Sequence, residues 1–400
     1  MPRNIGAEKT FKFLLYSRAF RSVALIYMGL AFSLYLHALG LNVIKISFVA
    51  GATVLFTVFL VLFLGYIGDR RGFKFELILS ELISLLGASM IALFTNKYLI
   101  IFGMIIVGLS SGAGGMRGAF SPGTNAYIAN NFSDEKERIK RYSLLSMVAA
   151  FSAIGGSVLF SAVSLLGRFT GTLLAYKYFF AFASALLAVS LIFLTLLVDV
   201  EKPKKTTKVM KKKSFKYSMR IIAINSLSGI SMGLFMPLLP LWFELSYKVG
   251  SFEIGIMFLI VYLFTALGSF ISSRIYSKLN PLSTAIYTRV LSAVLLIGLA
   301  ISPFFVLAAF FYIGRSLIIG LGSPSRTTIS IKGVDAEDYG TASSMQGIAS
   351  RLAQLSSASS GYLMDIYLPL PLFLGAIFQF ASGVGYKILL KNSKGKPNTP

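Results

Sequence analysis

The chain has 400 residues and a formal charge of +23 from 38 Lys plus Arg against 15 Asp plus Glu, yet only 13% of residues are charged and 56% are hydrophobic. A soluble domain averages about 25% charged residues, which excludes an ordinary cytoplasmic enzyme; the positive charge falls in short bursts between apolar runs, which argues against a nucleic-acid partner. With no cysteine and with His37 as the single histidine, disulfides, thiolate chemistry and Cys- or His-rich metal centres are excluded as well.

A bilayer-spanning helix needs about 20 largely apolar residues. Such runs occur at 20–39, 46–67, 77–95, 98–121, 142–164 and 176–197, and resume at 217–238, 253–275, 281–301, 304–328, 343–364 and 367–389. They are continuously apolar rather than alternating, so helices and not barrel strands are predicted. The first run follows Arg18 and Arg21 and has no small-residue cleavage site behind it, so it reads as a retained first helix rather than a signal peptide.

Charge in the loops tests the count. With the N-terminus inside, alternate loops gather nearly all Lys and Arg on one side; only Lys45, Lys97, Arg168, Lys177 and Lys248 fall on the other. Arg117, Arg289, Arg315 and Arg351 lie within runs. This asymmetry predicts a multi-pass protein of the plasma membrane with both termini cytoplasmic. Residues 198–216, lysine-rich and carrying Pro203, form the one long polar interruption and read as an exposed linker that can touch anionic lipid.

The linker divides the chain into an N-terminal bundle (1–197), a basic cytoplasmic linker (198–216) and a C-terminal bundle with a short polar tail (217–400). The halves echo each other. LGYIGDRRGFK after the second run aligns with LGSFISSRIYSK after the eighth, and FSPGTNAYIANNFSDEKER with GSPSRTTISIKGVDAEDYG, at nearly one offset. The expected fold is an all-α membrane protein: twelve transmembrane helices in two six-helix bundles related by pseudo-two-fold symmetry.

GYIGDRRGFK resembles the signature of the major facilitator superfamily between its second and third spans. Gly65, Asp69, Arg70, Gly72 and Lys74 fit that pattern, whereas in the second-half copy Ser272 stands at the aspartate position. The residues have their own logic. Gly65 removes bulk where helices approach, Asp69 can accept hydrogen bonds from arginines or a helix N-terminus, and Gly72 permits a tight reversal. The resemblance implies that this cluster latches a gate, with Arg117 of the fourth run beside it. The family's Gly-Pro pair in the fifth span is replaced here by Gly155-Gly156, which weakens the case for proton-driven drug antiport.

Arg315 falls near the predicted midplane of the tenth run, where an arginine costs roughly 2.5–3.5 kcal/mol on translocon scales, so it must face water, a partner or a ligand. The resemblance places the tenth span on the central cavity and makes Arg315 a solute-contact candidate. Asn225 and Ser228 of the seventh run, Tyr27 of the first and Gln354 of the eleventh are further candidates, with plain helix–helix contacts as the alternative. Small residues Ser343, Gly347, Ser350, Ser357 and Gly361 share the Gln354 face of that run, which reads as a helix seam or a wet wall. Carboxylates are scarce inside the runs; Glu81 lies one turn or so from the cytoplasm, leaving Glu253 and His37 as coupling candidates.

No Walker-type loop, catalytic triad or metal-ligand cluster is present, so no enzyme activity, cofactor or metal is expected. The reading is a monomeric secondary transporter that moves a small drug-like or metabolite solute by alternating access, in contact with membrane lipids and with proton coupling left open. An uncoupled facilitator, an anionic-solute transporter and a non-transporting membrane sensor or scaffold are the alternatives.

Overall fold

The computed structural model describes residues 2–108, 124, 127–128, 135–198, 210–275, 280–335 and 338–391, with Asp69 and residues 2–9, 135–136, 138–139, 142–143, 273, 275, 340 and 391 described by their backbone alone. Every described element is a helix. In chain order these are α1 (Pro2–Ala38), α2 (Val43–Arg71), α3 (Phe73–Leu93), α4 (Lys97–Val107), α5 (Glu135–Thr170) and α6 (Thr172–Thr195). The second half has α7 (Lys212–Phe235), α8 (Leu239–Tyr247), α9 (Ser251–Ile275), α10 (Pro281–Ala300), α11 (Phe305–Ile331), α12 (Tyr339–Ala353), α13 (Ser357–Ile366) and α14 (Leu370–Lys391).

Among the described residues, ten helical segments are long and apolar enough to cross a membrane. The fourth predicted run continues past the described residues, and the eleventh is broken by a 3-10 turn at Gln354–Ser356. The seventh run is longer than its apolar core. α7 and α8 continue one another through a 3-10 turn at Met236–Leu238, where Pro237 lacks an N–H and cannot sit in an undisturbed α-helix. The first run is longer too. Its helix starts at Pro2 rather than 20, because hydropathy marks only the hydrocarbon-compatible stretch while the backbone ladder runs on through Lys9, Lys12, Arg18 and Arg21.

Contacts divide the chain into two units, Met1–Thr207 with Phe243–Leu259, and Lys208–Trp242 with Ile260–Pro400. In the first, α1 packs on α5 and α6, and α3 packs on α2, α4 and α6. One part of its core gathers Phe11, Leu14, Leu77, Leu145 and Leu194. In the second, α10 packs on α11 and α14, while α7 packs on α12 and α14. Ile221, Ile224, Ala285, Ile329 and Tyr386 form a core cluster there. Helix 2 leaves Phe48, Leu55, Phe59, Leu62, Phe63 and Tyr66 exposed. An apolar strip of that length suits hydrocarbon, not water.

Glycines bring backbones together at two helix crossings that matter for stability. A Cβ at Gly87 would lie 2.6 Å from the Gly103 carbonyl, and one at Gly103 would lie 2.7 Å from the Gly87 carbonyl, so α3 and α4 touch through hydrogen alone. In the second unit a Cβ at Gly320 of α11 would strike the Thr265 carbonyl of α9, and one at Gly268 would strike the Leu317 carbonyl. Backbone cannot swing aside as a side chain can. Gly320→Ala should therefore lower stability by about 1–3 kcal/mol, the cost of overpacking. Thermal unfolding of the purified protein in detergent checks this, and an unchanged Tm would refute it.

Candidate functional site

The second unit contains a group of three arginines. Arg315 of α11 is 2% exposed. Its guanidinium lies 4.9 Å from the Phe235 ring and 5.9 Å from the Tyr312 ring, and its Nη2 is 3.8 Å from Met232 Sδ. These are cation–π and soft contacts, without a counter-charge. Its Nε has no hydrogen-bond partner among the described residues. Arg289 of α10 is half-buried and donates from Nη1 to the Ser228 hydroxyl and, at 3.3 Å, to Gln379 Oε1. Ser228 in turn donates to Gln379 Oε1 at 3.2 Å, so α7, α10 and α14 share one polar knot. Arg326 of α11 donates from Nη2 to the Ile319 carbonyl at 2.8 Å.

Like charges in one unit call for compensation, yet α7, α10, α11 and α14 contain no Asp or Glu at all. Among the described residues, ring faces, a thioether, hydroxyls, one side-chain amide and one backbone carbonyl meet these guanidiniums, which is weak against the desolvation of a buried cation. A planar guanidinium fork can match a carboxylate or phosphate bidentately.

Arg315 is legible as a candidate from sequence, whereas Arg289 and Arg326 join it only in the structure. Arg289 points at Ser228 and Gln379, and α11 runs on through Pro324 to Ile331, which keeps Arg326 in the helix. One signal was available, since Arg315 and Arg326 lie about three turns apart and therefore on one helix face. The other solute candidates are placed as follows. Asn225 Oδ1 accepts from Tyr386 Oη at 2.9 Å, joining α7 to α14. Gln354 sits in the 3-10 turn, its carbonyl against Gly233 so closely that a Cβ there would lie 2.7 Å away. Tyr27 belongs to the first unit and is fully buried, donating to the Tyr176 carbonyl at 3.0 Å beside Phe179 and Phe180. Asn225, Ser228, Gln354 and Tyr27 thus all make helix–helix contacts, and only Ser228 reaches the arginine group.

The first unit buries an ion pair. Arg21 of α1 and Glu81 of α3 are bonded to each other at 2% and 0% exposure. Arg21 also donates to Ser84 Oγ at 3.4 Å, and Arg18, fully buried beside it, feels both Arg21 and Glu81. The Ser17 and Ser190 hydroxyls meet at 2.8 Å between α1 and α6, and Ser190 also acts on the Glu81 carboxylate. Arg18 and Arg21 read in sequence as topology charges preceding the first span. They are buried instead, because Glu81 supplies the compensating charge.

At the α2–α3 junction Gly72 has φ +99°, a conformation that favours glycine, and donates its N–H to the Gly68 carbonyl at 2.9 Å. Arg70 stacks over Tyr66 at 4.3 Å and Lys74 is half-buried. No described atom lies within 4 Å of a Cβ built at Gly65. Glu76, 1% exposed, places Oε2 3.0 Å from the Cβ position of Gly68 and is a buried acid at this junction. The Asp69 side chain and all of Arg117 lie outside the described residues.

The two coupling candidates differ. Glu253 is exposed and accepts from the Gly250 N–H at 3.0 Å, capping the start of α9. His37 Nδ1 lies 3.6 Å from Glu244 Oε2, both groups within the first unit and both close to 40% exposed. Pairs this exposed contribute about 0–1 kcal/mol. His37→Ala should therefore shift the Tm by no more than a degree or two, and a large loss would show that the pair holds α8 in place. No cluster of metal-ligating side chains occurs among the described residues.

A family model described as Major Facilitator Superfamily matches residues 14–358. Among solved structures the fold is similar to the POT family transporter PepTSo, at TM-score 0.75 and 14% identity over 96% of this chain and 98% of that one. It is also similar to a bacterial homolog of the human lysosomal transporter Spinster in an inward-facing, unoccupied conformation, at TM-score 0.74 and 12% identity over 98% and 99%. A D-xylose-proton symporter gives TM-score 0.73 and 15% identity over 97% of each chain. At these identities the likeness is one of fold, and no curated protein matches by sequence. With helices fit to cross a bilayer and a family match over most of its length, the chain belongs to the Major Facilitator Superfamily and is a multi-pass secondary transporter of alternating-access type.

Proposed function

We propose that this transporter carries a small anionic solute, bearing a carboxylate or a phosphate, with Arg315 as its principal contact. The observation that carries this reading is the Arg315 guanidinium, 2% exposed against ring faces and a thioether, on a set of helices (α7, α10, α11 and α14) that also carries Arg289 and Arg326 and has no carboxylate. A neutral or cationic solute would leave that charge unanswered, whereas an anion compensates it on binding. Arg289, tied to Ser228 and Gln379, sets the electrostatic field behind the contact.

The remaining assignments follow the same reading. The chain crosses the membrane twelve times as a monomer in two six-helix bundles, with both termini and the 198–216 linker in the cytoplasm and without a cofactor. Gly65, Asp69, Arg70, Gly72, Lys74 and Arg117 form the gate latch. The absence of a carboxylate beside the arginines favours an uncoupled facilitator over a proton-driven pump.

Reconstitution into proteoliposomes tests the solute class. Mono- and dicarboxylates and phosphate esters should enter and compete with one another, while neutral sugars and amines should not. Selective transport of a neutral or cationic solute would sink the proposal. Repeating the uptake with and without a pH gradient decides coupling, since accumulation driven by protons alone contradicts the facilitator.

A further inference from the structure

A basic cavity lies at the linker-side end of the second unit, and none of Arg289, Arg315 and Arg326 lines it. It encloses about 460 Å³ and is lined by residues of α7, the start of α10, and the ends of α11 and α14. Lys213, Lys216 and Arg220 project from one face of α7, and Lys332 enters from the end of α11. Its lining contains no Asp or Glu. The opposing wall is apolar: Leu282, Ile329, Leu390 and the Tyr217 ring, which is locked by a 2.6 Å hydrogen bond from its hydroxyl to the Ile329 carbonyl.

None of the four cations is ion-paired among the described residues. The described acids close by in sequence, Asp335 and Asp338, are already engaged. Asp335 holds the Lys211 ammonium at 3.1 Å, and Asp338 accepts the Lys211 backbone N–H at 3.2 Å. The N-terminus of α10, capped by Asn280, also faces this cavity and adds the positive end of its dipole. Basic loop charge assigns this end to the cytoplasm.

We propose that this cavity is a binding site for a phosphate-bearing anion, with the phosphate held by Lys213, Lys216, Arg220 and Lys332 and the adjoining apolar part seated on Leu282, Ile329 and Leu390. That combination of a cationic rim and an apolar wall beside the membrane surface matches the headgroup of an anionic phospholipid. A soluble phosphate ester shares the recognised group but uses only the rim. The proposal is independent of which solute the transporter carries.

Binding is measured on the full chain in neutral detergent, by thermal shift and native mass spectrometry at fixed ionic strength. The probes are phosphatidylglycerol, phosphatidylcholine and inorganic phosphate. Phosphatidylglycerol should stabilise and stay bound while phosphatidylcholine does not. A response to inorganic phosphate without one to phosphatidylglycerol would support the site and assign it to a soluble ester. With each cation contributing about fivefold, the quadruple variant Lys213→Gln, Lys216→Gln, Arg220→Gln, Lys332→Gln should bind about 600-fold more weakly. A control with Lys45, Lys97, Lys177 and Lys248 changed to Gln loses as much charge and should bind as wild type. If the quadruple variant fails to fold, the pair Lys216→Gln, Lys332→Gln serves in its place. Equal binding of the two lipids, no binding of any probe, unchanged binding by the variants, or equal loss in the control would each overturn the site.

Discussion

Glu81→Ala should lower the stability of the purified protein by about 3–5 kcal/mol, the range found when one partner of a buried ion pair is removed. Glu81 is wholly buried and Arg21 nearly so, with Arg18 alongside. Removing the carboxylate takes from the buried Arg21 the acid it is bonded to, with the buried Arg18 guanidinium alongside. The pair itself need not contribute much net stability; the unanswered charge is what costs. Glu81→Gln keeps an acceptor for Arg21 and should lose less. The double variant Arg21→Met, Glu81→Met should recover part of the loss, because one cation leaves with the anion. Denaturation midpoints in detergent, read together with membrane yield, check the series. Equal midpoints for wild type and Glu81→Ala would show that the pair contributes nothing.

Arg315→Met should leave insertion and folding intact while cutting anion transport by about 10- to 150-fold in kcat/KM. That range follows from about 1.5–3 kcal/mol for a hydrogen bond to a charged group. Met matches the soft surroundings of Met232 and Phe235 and removes a buried cation rather than exposing a cavity. Arg315→Lys keeps the charge but loses the planar fork, so a carboxylate or phosphate solute should be held poorly by it as well. Arg289→Met should do less to uptake, since Ser228 and Gln379 still satisfy each other at 3.2 Å. Uptake by Arg315→Met equal to wild type across the anion panel would remove Arg315 from the site.

The gate and coupling residues show the limits of reading a chain locally. At Gly72 the motif pattern and the φ of +99° agree, because a reversal between adjacent helices is a local event. Glu253 looked suited to coupling as one of few acids near a span, yet its carboxylate caps its own helix. Asn225 and Ser228 share a face of α7, as spacing predicts, but their partners Tyr386, Arg289 and Gln379 come from other helices.

The helical, bilayer-crossing character of the chain follows from sequence alone: long apolar runs leave no other way to satisfy the backbone in hydrocarbon. The motif after the second run and the echo between halves carry the family likeness equally well. The fate of each arginine was decided only in three dimensions. Hydropathy prices a residue by its own transfer, whereas Arg21 depends on Glu81, 60 positions away, and Arg289 on Gln379, 90 positions away. A charge that finds its counter-ion becomes part of the packing, whereas among the described residues Arg315 meets ring faces and a thioether, contacts that no hydropathy profile of the chain can show.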